Sequence, residues 1–173
     1  VEREREKPKK ERGPIIVCLD TSGSMHGMPE RVAKALTLEA VRVAHQEGRR
    51  CFVYAFRGPG EVAETEISLD EEAFCEFMGF LRRSFHGGTD VGAPLRRATE
   101  RLEREEWQRA DLLLVSDGKF PVSNNLESRV GAWGEEAGAR LRGLLVGGGR
   151  GGTMESLCDE LHRFDDWEAL QSV

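Results

Sequence analysis

The sequence lacks the features on which nucleic-acid-binding and membrane-spanning chains depend. Of its 173 residues, 25 are Lys or Arg and 31 are Asp or Glu, which gives a formal net charge of −6. Neutralising phosphate requires a surplus of basic side chains on one face, and this composition does not supply one. No apolar run approaches the roughly 18 residues of a transmembrane helix. We therefore expect no nucleic-acid partner and no transmembrane segment.

Cysteine is sparse and shows no metal-binding or disulfide spacing. The four residues, Cys18, Cys51, Cys75 and Cys158, are far apart in the chain, with no Cys-x-x-Cys pair. Zinc sites and disulfide frameworks show closely paired spacings, which are absent here. Each Cys lies within an apolar stretch, so we expect buried free thiols and a reducing, cytoplasmic location.

The first twelve residues lack apolar side chains apart from Val1. Six basic and four acidic side chains in this stretch predict a solvated, charged linker or tail over residues 1–12. The chain also lacks an initiator Met, so we expect a piece of a longer chain or a processed product. The folded domain is predicted over 13–168, with a short tail at 169–173.

Short apolar runs alternate with helical patterns along the rest of the chain. The runs at 15–19, 51–56, 112–115 and 144–146 lack polar alternation, as strands buried on both faces do. Helices are predicted from 32 to 48, from about 93 to 107, from 126 to 141 and around 157–161, with another carrying Phe74 and Phe77. Residues 62–67 and 163–164 are predicted edge strands. This order predicts a doubly wound α/β domain, with a mostly parallel central sheet and helices on both faces.

Three small polar segments fall where buried strands or helices end. Asp20, Ser22 and Ser24 follow the first strand, Thr89 lies in a Gly-Gly-Thr-Asp segment, and Asp117 follows the 112–115 strand. Ligand sites in such sheets lie beyond the carboxyl ends of the strands, where the helices change faces. All the candidate donors are oxygens, which match a hard cation such as Mg²⁺, and also Mn²⁺ or Ca²⁺. The alternative interpretation of any one segment is a Ser- and Asp-rich loop that caps the following helix.

The combination of Asp-x-Ser-x-Ser, Gly-Gly-Thr-Asp and Ser-Asp-Gly resembles the metal-ion-dependent adhesion site of von Willebrand factor A (VWA) domains. The resemblance covers residues 15 to about 167, including the order of elements. It implies Ser22, Ser24 and Thr89 as direct metal ligands and Asp20 and Asp117 as inner or outer carboxylates. It also implies a partner protein that donates an acidic residue to the open metal position.

Within VWA domains, the chain is most similar to the ViaA group, the partners of MoxR-type AAA+ ATPases. The resemblance implies a non-catalytic accessory domain, with the ATPase supplying hydrolysis. Two stretches, 118–125 and 147–152, have no role in that pattern. The similar segments are residues 12–15, 18–25, 49–52, 85–90, 106–107 and 162–165.

Other residues close to the metal motifs are candidates for contact with the partner. They are Met25, His26, His86, Asp90 and Gly118. The histidines have an alternative interpretation as ordinary exposed loop residues.

Two rival functions remain at this point. One is a VWA subunit of another intracellular complex, such as a chelatase-type assembly. The other is a metal-dependent phosphohydrolase of the haloacid dehalogenase type, which also begins with an Asp at the end of its first strand. That chemistry needs a second acid two positions later, where this chain has Ser22. Gly-rich residues 147–152 contain a dinucleotide-type spacing, but too little chain follows to complete that unit.

Overall fold

A six-stranded sheet forms the centre of the molecule. The structure is a computed structural model that describes residues 12–67, 70–82 and 88–164. The strands of the sheet are β1 (Ile15–Asp20), β2 (Cys51–Phe56), β3 (Val62–Ile67), β4 (Asp111–Ser116), β5 (Leu141–Val146) and β6 (Glu160–Phe164). The sheet order is β3-β2-β1-β4-β5-β6, and every neighbouring pair is parallel except β2 with β3.

The strand order confirms the predicted doubly wound α/β fold. β1 pairs with β2 on one side and with β4 on the other, so the chain changes direction across the sheet between β1 and β4. All six residues of β1 are buried, and the same holds for β2. β3 and β6 lie at the two edges, as their mixed polar composition predicts.

Odd and even residues of each strand point to opposite sides of the sheet, so the apolar strands create two apolar faces. Helices cover both of these faces. The helices are α1 (Met28–Gln46), α2 (Glu71–Leu81), α3 (Gly92–Leu102), α4 (Asn124–Ala137) and α5 (Gly152–Leu157). One apolar layer joins the sheet to α1 and α2, and α2 contributes the buried Phe77 and Leu81 to it. The other joins the sheet to α3, α4 and α5, with Leu95 and Trp133 among its members.

Several predicted helix ends are wrong by a few residues. α3 ends at Leu102, and a separate 3-10 turn, Glu105–Trp107, buries Trp107 completely. Leu141 begins β5, because Gly138 in the left-handed conformation ends α4 before it. Leu161 belongs to β6, so the last strand is longer than predicted.

The thiols are free, as predicted, but one of them is not buried. Cys18 and Cys51 are buried and Cys158 is partly buried, whereas Cys75 is exposed on α2. The apolar character of its neighbours misled the prediction, because α2 buries Phe77 and Leu81 and turns Phe74 and Cys75 towards solvent. In the described part of the chain, no helix has the length and apolar content to cross a membrane.

Candidate functional site

Asp20 ends β1 as a buried carboxylate with both oxygens in hydrogen bonds. Its Oδ1 accepts from the backbone N–H of Ser22 at 2.9 Å, and its Oδ2 accepts from Ser116 Oγ at 2.5 Å. Burial raises the pKa of Asp20, as does the negative charge of Asp117, while the hydrogen bonds from Ser116 and Ser22 oppose the rise. The carboxylate is therefore held in one orientation at an electrostatic cost, which a nearby cation would relieve.

Asp117 follows β4, the neighbour of β1, and its two oxygens differ in their hydrogen bonds. Only 3% of the residue is exposed, and its Oδ1 accepts from the backbone N–H of Lys119 at 3.0 Å. Its Oδ2 is buried, and no residue that the structure describes donates a hydrogen bond to it. Buried polar atoms are nearly always satisfied, and an exception often marks an ion that the site takes. This oxygen fits the cation that the donor set implies.

Two hydroxyls lie in the turn after Asp20. Ser22 is buried and Ser24 is exposed, and their Oγ atoms are 3.2 Å apart. The turn is a 3-10 helix, Gly23–Met25, that leads into α1. Its path leaves Ser24 on the solvent side, so the cluster of oxygens has a buried side and an open side.

The segment that contains Thr89 lies at the same edge of the sheet. The N–H of Asp90 donates to the carbonyl of Arg57, just beyond the end of β2, at 2.8 Å. Both the N–H and the hydroxyl of Thr21 donate to the carbonyl of Phe56, which links β1 to that strand end. Thr89 itself is partly buried. The three predicted segments therefore meet the ends of three adjacent strands.

The predicted partner-contact residues differ in their surroundings. His26 is exposed, with its Nδ1 3.9 Å from a Glu30 oxygen, and Asp90 accepts from the N–H of Gly92 at 3.0 Å. Gly118 is partly buried, with φ of 72°, a left-handed turn that suits glycine. His86 lies outside the described residues.

The prediction that Met25 contacts a partner is wrong. Its side chain is fully buried in the apolar layer beneath α1, so it has no surface for a partner. The 3-10 turn directs it inwards, although its sequence neighbours are the exposed Ser24 and His26.

Ser116 is the residue that sequence reasoning missed. Besides donating to Asp20, its Oγ accepts from the N–H of Gly118 at 3.0 Å, so it joins the two strand ends. Its position directly before Asp117 was the available signal. Within the described ranges, no group of three or more His, Cys, Asp or Glu side chains is placed to hold a metal. The oxygen cluster here contains only two carboxylates, together with hydroxyls.

The Gly-rich stretch after β5 also contacts the site. A side chain at Gly149 would place its Cβ 2.8 Å from the carbonyl oxygen of Asp117, so only glycine permits this approach. The hydroxyl of Thr153, at the start of α5, donates to the carbonyl of Gly118 at 2.8 Å. The approach of Gly149 gives residues 147–152 a structural role beside Asp117, and Thr153 adds a contact from the helix that follows.

Thr21 also lines a cavity of about 410 Å³. Leu19, Phe80 and Leu81 supply apolar lining, and Arg57 and Glu61, which form an ion pair, line it as well.

A family model described as the von Willebrand factor type A domain matches residues 15–119, more than half of the chain. The chain belongs to this family. The matched part of the VWA domain runs from the first residue of β1 to the segment just after Asp117, and so includes all three polar segments.

Solved structures share the fold of this VWA domain at low sequence identity. BatB from Bacteroides thetaiotaomicron, a conserved hypothetical protein, has a TM-score of 0.66 at 15% identity, over 92% of this chain and 94% of that one. An aerotolerance-related membrane protein from Bacteroides fragilis has a TM-score of 0.65 at 17% identity, over 92% and 95%. The SpRpn10 VWA domain has a TM-score of 0.62 at 12% identity, over 89% and 88%. At these identities the likeness establishes the fold alone.

Proposed function

We propose that this VWA domain binds a partner protein through a divalent cation, most simply Mg²⁺, and performs no catalysis itself. Asp20, Ser22, Ser24, Thr89 and Asp117 would hold the ion. The observation that carries the proposal is the buried Asp117 Oδ2, which lies beside a second buried carboxylate and accepts no hydrogen bond from the described part of the chain. Mn²⁺ and Ca²⁺ accept the same oxygen donors.

The residues of this chain prepare the site before any ion arrives. Ser116 and the Ser22 N–H fix the orientation of Asp20, and the N–H of Lys119 fixes one oxygen of Asp117. Ser24 lies on the exposed side of the oxygen cluster, which leaves the approach from solvent open. When bound, the cation supplies a positive coordination position for an acidic side chain, because neutral hydroxyls leave much of its charge uncompensated.

A binding role agrees better with these residues than phosphoryl chemistry does. A haloacid dehalogenase-type site needs an acid two positions after its first Asp, to donate a proton to the leaving group. Ser22 occupies that position, and its backbone N–H is already bonded to Asp20.

We further propose that the partner is a MoxR-type AAA+ ATPase or its client, in the cytoplasm. The support is the sequence resemblance to the ViaA group and the set of free thiols, which suit a reducing compartment. A bacterial protein that shares the fold is described as aerotolerance-related, which is a property of that protein.

Thermal unfolding tests the metal site. Mg²⁺ should raise the melting temperature of the wild type, since a ligand that binds only the folded state stabilises it. Asp20→Ala and Ser22→Ala should abolish the rise, whereas Ser128→Ala, on the exposed side of α4, should keep it. An unchanged melting temperature in saturating Mg²⁺ and Mn²⁺ would contradict a metal site.

Affinity capture from native lysate tests the partner. The wild type in Mg²⁺ should retain an AAA+ ATPase that is lost with chelator and with Ser22→Ala. If the ATPase were retained despite chelator and Ser22→Ala, partner binding would not depend on the metal site. An interaction lost with chelator but lacking any ATPase would leave the metal site standing and overturn the choice of partner.

A further inference from the structure

Lys119 is held close to Oδ2 of Asp117, the oxygen to which no described residue donates a hydrogen bond. Its Nζ lies 3.9 Å from Asp117 Oδ2, while its backbone N–H donates to Oδ1 of the same carboxylate. One residue therefore contacts both oxygens of a group that we assign to the metal site.

The backbone on each side of Lys119 is fixed. Gly118 adopts a left-handed turn and accepts a hydrogen bond from Thr153, and the Phe120 side chain is buried in the core with 5% exposed. The lysine is thus tethered between two anchored neighbours. Its side chain, by contrast, is 65% exposed, so the ammonium has a free path to solvent.

An ammonium group and a divalent cation that approach the same carboxylate oxygen repel each other. A cation on Asp117 Oδ2 would lie within a few ångströms of Nζ, where two positive charges repel each other strongly even near a protein surface. The ammonium must therefore leave when the metal binds. Because the side chain is mostly exposed, the energy of the pair is small, and displacing it costs little.

We propose that Lys119 is a built-in competitor for the metal position, an ammonium group that offsets part of the charge of Asp117 in the metal-free domain and weakens divalent-cation binding. The inference rests on the proposed metal site. It gives residues 118–120 a role that the family pattern does not supply. It also predicts that metal occupancy depends on ionic strength through this one pair, since salt screens exposed charges.

The test compares Lys119→Met with the wild type. Methionine keeps the length of the side chain and removes its charge. Binding should be followed by the Mg²⁺ dependence of the melting temperature and by electron paramagnetic resonance of bound Mn²⁺. Lys119→Met should bind both ions roughly two- to fivefold more tightly at low salt, and about 0.5 M salt should reduce the difference.

Two matched variants identify the cause. Lys119→Arg retains the positive charge and should bind like the wild type. Arg104→Met removes an exposed positive charge from the segment before β4, at the opposite end of the sheet, and should also leave affinity unchanged.

The outcomes separate this inference from the function on which it rests. Equal affinities in the wild type and Lys119→Met, or the same gain in Arg104→Met, would overturn the role of Lys119 and leave the metal site intact. No binding of Mg²⁺ or Mn²⁺ to either protein would overturn the metal site and this inference with it.

Discussion

Asp20 and Asp117 are buried side by side at the ends of neighbouring strands, yet their hydrogen bonds differ. Within the described ranges, Asp20 accepts through both oxygens and Asp117 through Oδ1 alone. A protein interior disfavours two adjacent negative charges, so this pair lowers the stability of the metal-free domain. Such a cost is typical of residues retained for binding.

Asp20→Asn should stabilise the metal-free domain at neutral pH. Burial raises the folded-state pKa of Asp20, so the folded protein takes up a proton more readily than the unfolded chain. Stability therefore falls as pH rises from the unfolded pKa, about 3.9, through the folded pKa. Melting curves with chelator should show Asp20→Asn above the wild type at pH 7, by a few degrees, and the two converging near pH 4.

A control at an exposed carboxylate distinguishes the effect of burying Asp20 from the effect of removing any one negative charge. Glu103→Gln removes an exposed carboxylate and should follow the wild-type curve. A lower melting temperature for Asp20→Asn at pH 7 would mean that hydrogen bonding to the carboxylate outweighs the cost of its burial.

Gly149→Ala should destabilise the domain by about 1–3 kcal/mol, the usual cost of overpacking. The added Cβ would meet the Asp117 carbonyl oxygen at 2.8 Å, and that oxygen belongs to the backbone. Gly148→Ala is the matched control, because no atom lies within 4 Å of a Cβ there. Melting temperatures of both variants measure the difference, and equal values would contradict the close approach.

The sequence identifies the candidate site residues better than it identifies those that support them. Asp20, Ser22 and Asp117 follow apolar runs and so fall at strand ends, where the structure has them. Met25 is wrongly predicted because a polar neighbourhood does not reveal which way a 3-10 turn directs a side chain. The partners of Ser116 and Gly149 come from distant segments, and no local pattern encodes such contacts.

At the scale of elements, strands are easier to locate than helix ends. The apolar runs of β1 and β2 have no polar alternation and match the structure within one residue. Leu141 and Leu161 continue a helical period by chance, and strand pairing with β4 and β5 decides their conformation instead. Residues 118–125 also gain an explanation, since Phe120 packs in the core and Ser123 precedes α4.

Ser123→Ala should lower stability by about 1 kcal/mol through loss of a helix cap. The Ser123 hydroxyl oxygen accepts from the N–H of Leu126 at 3.2 Å at the first turn of α4. Ser128→Ala, within the same helix and exposed, should be neutral or slightly stabilising, because alanine favours helix. Urea unfolding of the two variants measures the difference, and equal midpoints would show that the Ser123 cap does not stabilise the domain.

At the scale of the molecule, two apolar layers enclose the sheet and determine which groups reach solvent. Burial raises the pKa of Cys18, Cys51 and Cys158 to about 12, whereas Cys75 lies on the exposed side of α2. The overall architecture was predictable because buried strands alternate with amphipathic helices. The side of α2 that faces solvent was not, because apolar residues lie on both sides of that helix.

Iodoacetamide at pH 8 should label Cys75 far faster than the other three thiols in the native protein. The thiolate is the reactive form, and the raised pKa keeps Cys18, Cys51 and Cys158 protonated at that pH. Cys18 and Cys51 are also buried, and Cys158 is partly buried. Mass spectrometry should find one rapid addition in the native state and four after unfolding in denaturant. A native Cys75→Ser variant that still reacts rapidly would show that a buried layer opens readily.

The position of β1 has a consequence for the order in which the fold opens. β1 is hydrogen-bonded on both sides and buried along its whole length, whereas β3 and β6 each have one neighbouring strand in the described part of the sheet. Amide hydrogens of β1 are therefore expected to exchange with solvent only through global unfolding, and those of the edge strands through smaller openings. Because Asp20 is the last residue of β1, local opening of either edge strand leaves the position of its carboxylate unchanged.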